Sequence, residues 1–467
     1  MSSRISVTIK RVLVVGISVV VLALLFWLSL ATAYSVPSSL LKTHAAQSRN
    51  ILQQEGVLWM QNAAHVGGAH YDNYTTYHML NIAVQSTNNP VVAALASAEY
   101  KGADPDDGLA HAIEGESNVA YERYWHGYVT FLRPALVAFD IKQIRLLCQI
   151  LFFALLAVLI VCSTRKICPW GGAIGVLLAL SYMLFGAAQA AETLPLASSF
   201  IISVVASLVV IQLFGTGRRF STGGIWSEGF AVFLTFMAVG AVTVYFDFLD
   251  NPILTFCIPA TFLFLSLKKS SYRSSLLALV LSALGWCLGY FLLWAAKWVL
   301  TDVVVGNGVI ESALLQAYYL SGGIDREGVE GGPAQAILAN IRPLGFVKPI
   351  MLVSLGLALA CLVCAVLRFR NTADSKAAIP LMLALFVISL APYVWYAVLS
   401  DHSIMHAGLM TYRDQIGALF PWLVISVLFI SALKNRSIET DRSKARTKKN
   451  VDDFGSECGN DGYDGRD

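Results

Sequence analysis

Charge is what this sequence has least of. Only 13% of its 467 residues are Asp, Glu, Lys or Arg, and 56% are hydrophobic. Soluble domains carry about 25% charge, so an ordinary water-soluble fold is excluded. The formal net charge is +3. No basic stripe forms outside the tail, which excludes nucleic acid as a partner. The cysteines, Cys148, Cys162, Cys168, Cys257, Cys287, Cys361, Cys364 and Cys458, avoid the long polar segments, so no disulfide is predicted there. Cys361 and Cys364 have C-x-x-C spacing, but within a run of Leu, Ala and Val. No second pair completes a zinc site, and they read as buried apolar thiols. An internal repeat is also lacking, which argues against a secondary transporter.

What is present is a series of apolar runs. A hydrocarbon core about 30 Å thick takes about 20 helical residues. The runs are Val12–Tyr34, Leu146–Ser163, Gly171–Ala190, Leu194–Phe214, Phe230–Phe246, Asn251–Leu267, Ser275–Ala296, Ile350–Leu367, Ala378–Leu399 and Ile416–Leu433. The fifth and sixth are short enough for a tight hairpin. The first is too long for a signal peptide and reads as a retained anchor. Arg165 and Lys166, Arg218 and Arg219, Lys268, Lys269 and Arg273, and Arg368 and Arg370 occupy alternate loops. The positive-inside rule then makes both termini cytoplasmic.

The predicted fold class is all-α: a polytopic transmembrane helical bundle of about ten spans. A helical outer domain is built from the first and a later outer loop. In order, the chain divides into a cytoplasmic N-terminus (1–11), the first span (12–34), a long outer loop (35–145) and spans two to seven (146–296). A second outer loop (297–349) precedes spans eight to ten (350–433), which enclose a short polar outer segment (400–415). The charged tail from 434 to 467 reads as disordered.

On this topology all eight histidines, His44, His65, His70, His78, His111, His126, His402 and His406, face outward. Titratable groups are expensive in lipid, so their one-sided supply points to chemistry at the outer face. In the first loop, Ser48–Gln61 reads as an amphipathic helix in the headgroup plane. Tyr77–Val84 reads as a second helix, capped by Asn73 or Thr75. Between them lies His65-Val66-Gly67-Gly68-Ala69-His70-Tyr71-Asp72. Asp72 is placed to take a proton from a hydroxyl or to ligate a metal; its structural alternative is a helix cap. Asp104, Asp106 and Asp107 sit in a Pro/Gly turn and read as solvated. The loop ends in Tyr124-Trp125-His126-Gly127-Tyr128, followed by Arg133 beside the next span. An Arg there is a phosphate partner or a snorkelling anchor.

Two further segments carry polar side chains. Asp247 stands in the turn Tyr245–Pro252, and with Glu192 it either lines an outward cavity or marks the water boundary. His402 and His406 share a helix face at i, i+4. The Glu of a zinc-binding H-E-x-x-H is missing, so an imidazole pair gripping phosphate together with Arg413 is favoured.

The runs Asp72-Asn73-Tyr74-Thr75, Tyr124–Tyr128 with Phe131-Leu132-Arg133-Pro134, and His402-Ser403-x-x-His406 with Tyr412-Arg413 resemble those of a bacterial group of GT-C-like polytopic membrane proteins. The long outer loop after a single span resembles the GT-C superfamily of membrane glycosyltransferases more broadly. The resemblance covers about Val12 to Leu433. It implies a polyprenyl-phosphate sugar donor, a glycan or glycolipid acceptor and a site at the outer face of a bacterial plasma membrane. Asp72 would be the catalytic base, and Arg413 would hold the lipid phosphate. His70, His126, Arg133, Asp247, His402, His406 and Tyr412 complete the expected substrate-binding set. No metal ligand is assigned, and a divalent cation stays open as a cofactor. The superfamily's close acidic pair is absent, because Asn73 follows Asp72. A second acid, Asp247 or Asp106, has to be supplied by the fold.

The resulting expectation is transfer of a sugar from lipid phosphate to a cell-envelope acceptor. The alternatives are a polymerase or ligase of lipid-linked glycan, a transporter or flippase, and a non-catalytic scaffold. A transporter would place functional polar groups at mid-span, whereas these crowd the span ends.

Overall fold

The computed structural model describes residues 2–60, 70–167, 170–215, 227–247, 249–267, 272–323, 331–369 and 375–434. The chain is an all-α polytopic bundle. Eight helices are long and apolar enough to cross a membrane. Helix α1 spans Ser2–Tyr34. After it come α2 (Lys42–Glu55), β1 (Leu58–Met60), β2 (His70–Asp72), α3 (Asn73–Val84), α4 (Pro90–Ala96), β3 (Ala98–Glu99), α5 (Pro105–Glu114), β4 (Val119–Ala120) and α6 (Val129–Ala135). The bundle continues with α7 (Ile141–Lys166), α8 (Gly171–Leu184), α9 (Ala187–Glu192), α10 (Leu194–Phe214), α11 (Glu228–Phe246), α12 (Leu254–Ser266) and α13 (Tyr272–Val304). A second helical insertion, α14 (Val309–Leu320) and α15 (Pro333–Ile341), precedes α16 (Val347–Phe369), α17 (Ser375–Ile388), α18 (Ala391–Val398) and α19 (Ser400–Met405). The last helix, α20, covers 416–434.

Backbone polar groups have no water to bond in hydrocarbon, so long apolar runs close their hydrogen bonds as helices. Two of the ten runs contain breaks. The third divides into α8 and α9 at Gly186, whose φ of +71° suits glycine. The ninth divides between α17 and α18, ahead of Pro392. Helix α12 has 13 residues, about 20 Å at 1.5 Å per residue. It is too short to cross alone and is buried along almost its whole length, so it serves as a core helix.

Helices α11 and α13 make the tightest approach. A Cβ at Gly240, Gly285 or Gly289 would strike the facing helix at the carbonyls of Trp286, Phe233 and Met237 respectively. Small residues let membrane helices approach at backbone distance.

The first loop is a packed helical domain, with Leu41, Ala45, Leu52, Leu80, Leu109 and Ala112 fully buried. The expected interfacial helix at Ser48–Gln61 is corrected here. The helix ends at Glu55, Leu52 points into the domain, and Arg49 is bound to Asp106 by Nε at 2.8 Å and Nη2 at 2.5 Å. Residue 61 lies outside the described residues. Arg145 of α7 fastens this domain to the bundle, donating to both Glu55 carboxylate oxygens at 3.0 and 2.8 Å and to Asn73 Oδ1 at 2.7 Å. On the other flank, the indole N–H groups of Trp294 and Trp298 both donate to the Arg123 carbonyl, at 2.8 and 2.9 Å. The second insertion is pinned to the third polar segment, where Asn340 Nδ2 donates to the Ser403 carbonyl at 2.9 Å.

Replacing Gly289 by Leu should force α11 and α13 apart. Overpacking typically costs about 1–3 kcal/mol, and more where backbone is struck. The expected result is a lower unfolding midpoint in detergent. Gly356→Leu on α16, where a Cβ meets no atom within 4 Å, should leave the midpoint unchanged.

Candidate functional site

The seven described histidines all lie on the side of the bundle that carries the long loop, called the loop side below. His65 lies outside the described residues. The main feature of that side is a cavity of about 600 Å³. Its walls come from α3 (Tyr74, Thr75, His78, Met79, Ile82), from Glu99, Lys101, Tyr121, Arg123, Tyr124 and Tyr128, from Asp250, from α14 (Gln316, Tyr319, Leu320), and from His402, Met405, His406 and Met410. The three polar segments therefore converge.

The α11–α12 turn is what brings them together. Asp247 Oδ1 accepts from Ser199 Oγ at 3.0 Å, and Oδ2 accepts from the Leu249 N–H at 2.8 Å. Leu249 is held at φ +71°, a left-handed conformation rare for a non-glycine residue. Its carbonyl then accepts from His402 Nε2 at 3.0 Å. Asn251 Nδ2 donates to the Met410 carbonyl at 3.1 Å. These two bonds draw the third polar segment onto the turn and place Asp250 in the cavity wall. Such strain clusters where structure positions a functional group.

Burial is the main cause of the high proton affinity of Asp250, and Asp247, Asp72 and Asp414 raise it further, all well above the usual carboxylate range. Its Oδ2 is buried without a hydrogen-bond partner. Asp247 is pushed up to about 6 by burial, against the pull of Ser199 and the turn's N–H groups. His402 is lowered to about 3 by burial and by His406, whose ring centroid is 4.6 Å away. It is therefore neutral, and its bond to the Leu249 carbonyl requires Nε2 to carry the hydrogen. Arg123 lies over the Tyr121 ring at 5.4 Å, and its buried Nε has no hydrogen-bond partner. His78 pairs with Glu99 at 3.0 Å on the same wall.

Asp72 caps α3, accepting from the Thr75 N–H at 2.9 Å. It stands one step behind the cavity wall, and its Oδ2 is buried without a partner. Burial raises its proton affinity, against the Thr75 bond and His78. His70 pairs with Met60 in the β1–β2 ladder, and its side chain lies outside the described residues. His402 and His406 both line the cavity.

Five expectations are corrected. Arg133 gives Nη1 to the carbonyls of Ala83 and Gln85 at 2.6 and 2.8 Å, and Nε and Nη2 to Val36 at 3.1 and 2.7 Å. Arg413 gives Nε to the Phe185 carbonyl at 3.2 Å and Nη1 to Leu409 at 2.5 Å, and is 1% exposed. Neither guanidinium reaches the cavity, so neither grips phosphate there. Tyr412, 1% exposed, packs between Arg413 and Phe185 instead of facing a substrate. His126 is 2% exposed and bonded to the Tyr121 carbonyl at 2.7 Å, and burial lowers it to about 3. Asp106 faces Arg49 and does not supply the second acid; Glu192, which accepts from Gln149 at 2.7 Å, is not among the residues lining the cavity.

The acid and cation that sequence reasoning passed over are Asp250 and Arg123. The spacing Asp247-x-x-Asp250 is a local signal for the first; Arg123, just ahead of the Tyr124–Tyr128 run, has none. Among the described residues no group of three or more His, Cys, Asp or Glu is arranged to hold a metal ion.

A carboxyl raised in the fold stabilises it only below its folded value. As pH rises from about 4 through about 6, the folded state must release the Asp247 proton and loses stability. Asp247→Asn should flatten that decline in a pH series of unfolding midpoints; an unchanged slope would remove Asp247 as its source. Comparison with protein-family models, curated proteins and solved structures returns no match.

Proposed function

We propose that this multi-pass membrane protein is a glycosyltransferase. It moves a sugar from a polyprenyl-phosphate donor to a cell-envelope acceptor at the outer face of the bacterial plasma membrane. The observation that carries the reading is that a buried carboxyl, Asp250, whose Oδ2 has no hydrogen-bond partner, and Arg123 line one cavity at the ends of the spans. Group transfer from a lipid phosphate needs a cation for the departing phosphate and a base for the acceptor.

In this reading Arg123 and Lys101 meet the phosphate, and Asp250 takes the acceptor's hydroxyl proton. The acceptor oxygen bonds to the anomeric carbon as the bond from that carbon to the phosphate oxygen breaks. Both electrons of that bond leave with the lipid phosphate. A carboxyl of raised proton affinity is a stronger base once ionised. His402 is neutral and acts as a donor to Leu249, so it positions the turn. His406, beside it on the wall, faces the substrate. Asp72 holds the start of α3 and adds to the negative field behind Asp250. The same chemistry serves a polymerase of lipid-linked glycan, which product length in the assay would reveal.

Asp250→Asn should reduce transfer from a lipid-linked sugar at least 100-fold in membranes, with folding retained. Arg123→Ala should raise the donor KM at least ten-fold. Wild-type kcat/KM should climb with pH as Asp250 ionises, at a pH well above the usual carboxylate range. Full activity of well-folded Asp250→Asn would rule out the base assignment, and with it this reading of the cavity.

A further inference from the structure

Helix α14 presents two unlike faces. Gln316, Tyr319 and Leu320 line the cavity. On the other side Leu314, Leu315 and Tyr318 are 56%, 59% and 58% exposed, with Ile310 beside them. The spacing i, i+1, i+4 puts the three on one stripe of the helix. Glu311, exposed in the first turn at the head of the same stripe, is the only charged residue of α14, and there it sits at the headgroup end of the face. Water-exposed helices do not carry such stripes without a reason.

The height of α14 identifies what covers the stripe. Its end is tied to the end of a span, because Ser400 Oγ, two residues past α18, donates to the Ser321 carbonyl at 3.2 Å. Its start packs on the end of α13, where Val299 and Val303 are exposed. Phe346, just ahead of α16, is exposed as well. The stripe therefore continues the apolar surface that the spans turn toward lipid.

We infer that α14 is seated in the membrane interface on the loop side, its Leu314–Leu315–Tyr318 face among lipid chains and its opposite face forming the cavity wall. An amphipathic helix in this position buries its apolar face a few ångströms into the acyl boundary. This role falls to α14 and not to α2, whose apolar residues are used inside the loop domain. The occupant is the bilayer itself. The consequence is that a lipid-borne substrate reaches the cavity sideways, past α14, without leaving the membrane.

Two measurements test this. A photoreactive benzoyl-phenylalanine at position 315, in native membranes and in phospholipid nanodiscs, should yield lipid adducts by mass spectrometry. The same probe at exposed Asn307 should yield few. Adducts to another protein chain, or none above the Asn307 level, would overturn the inference. The second measurement rests on the transferase reading. The double variant Leu314→Lys/Leu315→Lys should lose at least ten-fold more activity on a long-chain prenyl-phosphate sugar than on a short, water-soluble one. Equal loss on both donors would overturn sideways entry. If wild-type protein used neither donor, the transferase reading would fail, while the crosslink would still decide where α14 sits.

Discussion

The Asp247 carboxylate is the constraint on which the loop side depends. One side chain receives Ser199 from α10 and the Leu249 N–H from its own turn, with the Tyr290 hydroxyl of α13 at 3.4 Å. Three helices and a turn are thereby referred to a single buried group. The left-handed backbone at Leu249 follows from that closure, and its carbonyl is the handle by which His402 draws in the third polar segment. Without this turn, Asp250 would have no fixed place relative to α3 and Arg123.

Three buried cations serve the backbone. Arg133 bonds the carbonyls at the end of α3, Arg413 the carbonyl of Phe185 just past α8, and Lys297 the carbonyl of Leu95 at the end of α4. Each is a helix C-terminus, where the last carbonyls lack intrahelical partners and the macrodipole is negative. Near lipid, water cannot supply the missing donors. A cation at a span boundary is thus drawn first to orphan carbonyls, whereas Arg123 on the cavity wall keeps a buried Nε without a hydrogen-bond partner.

The bundle was legible because hydrophobic run length is set by bilayer thickness; the run Leu194–Phe214 coincides with α10 residue for residue. Breaks inside runs were less so. Gly186 is permissive of a break without requiring one. The helix-cap reading of Asp72 was local and could be weighed from sequence, since a cap acts three residues away. The fate of Arg133 and Arg413 could not, because the carbonyl partners of Arg133 lie 48 to 97 residues distant and the bond from Arg413 to Phe185 spans 228. Asp250 lay within a motif already singled out, but nothing local distinguishes the acid that closes a turn from the acid that the turn presents.

The glycine-lined contact between α11 and α13 has a mechanical consequence. Helix α11 ends in the turn that carries Asp250, and α13 holds the Arg123 carbonyl through Trp294 and Trp298. With side chains absent from the closest points of the seam, the two helices meet backbone to backbone. The turn that presents Asp250 and the backbone of Arg123 are thus both referred to this one helix pair, though they belong to segments more than a hundred residues apart.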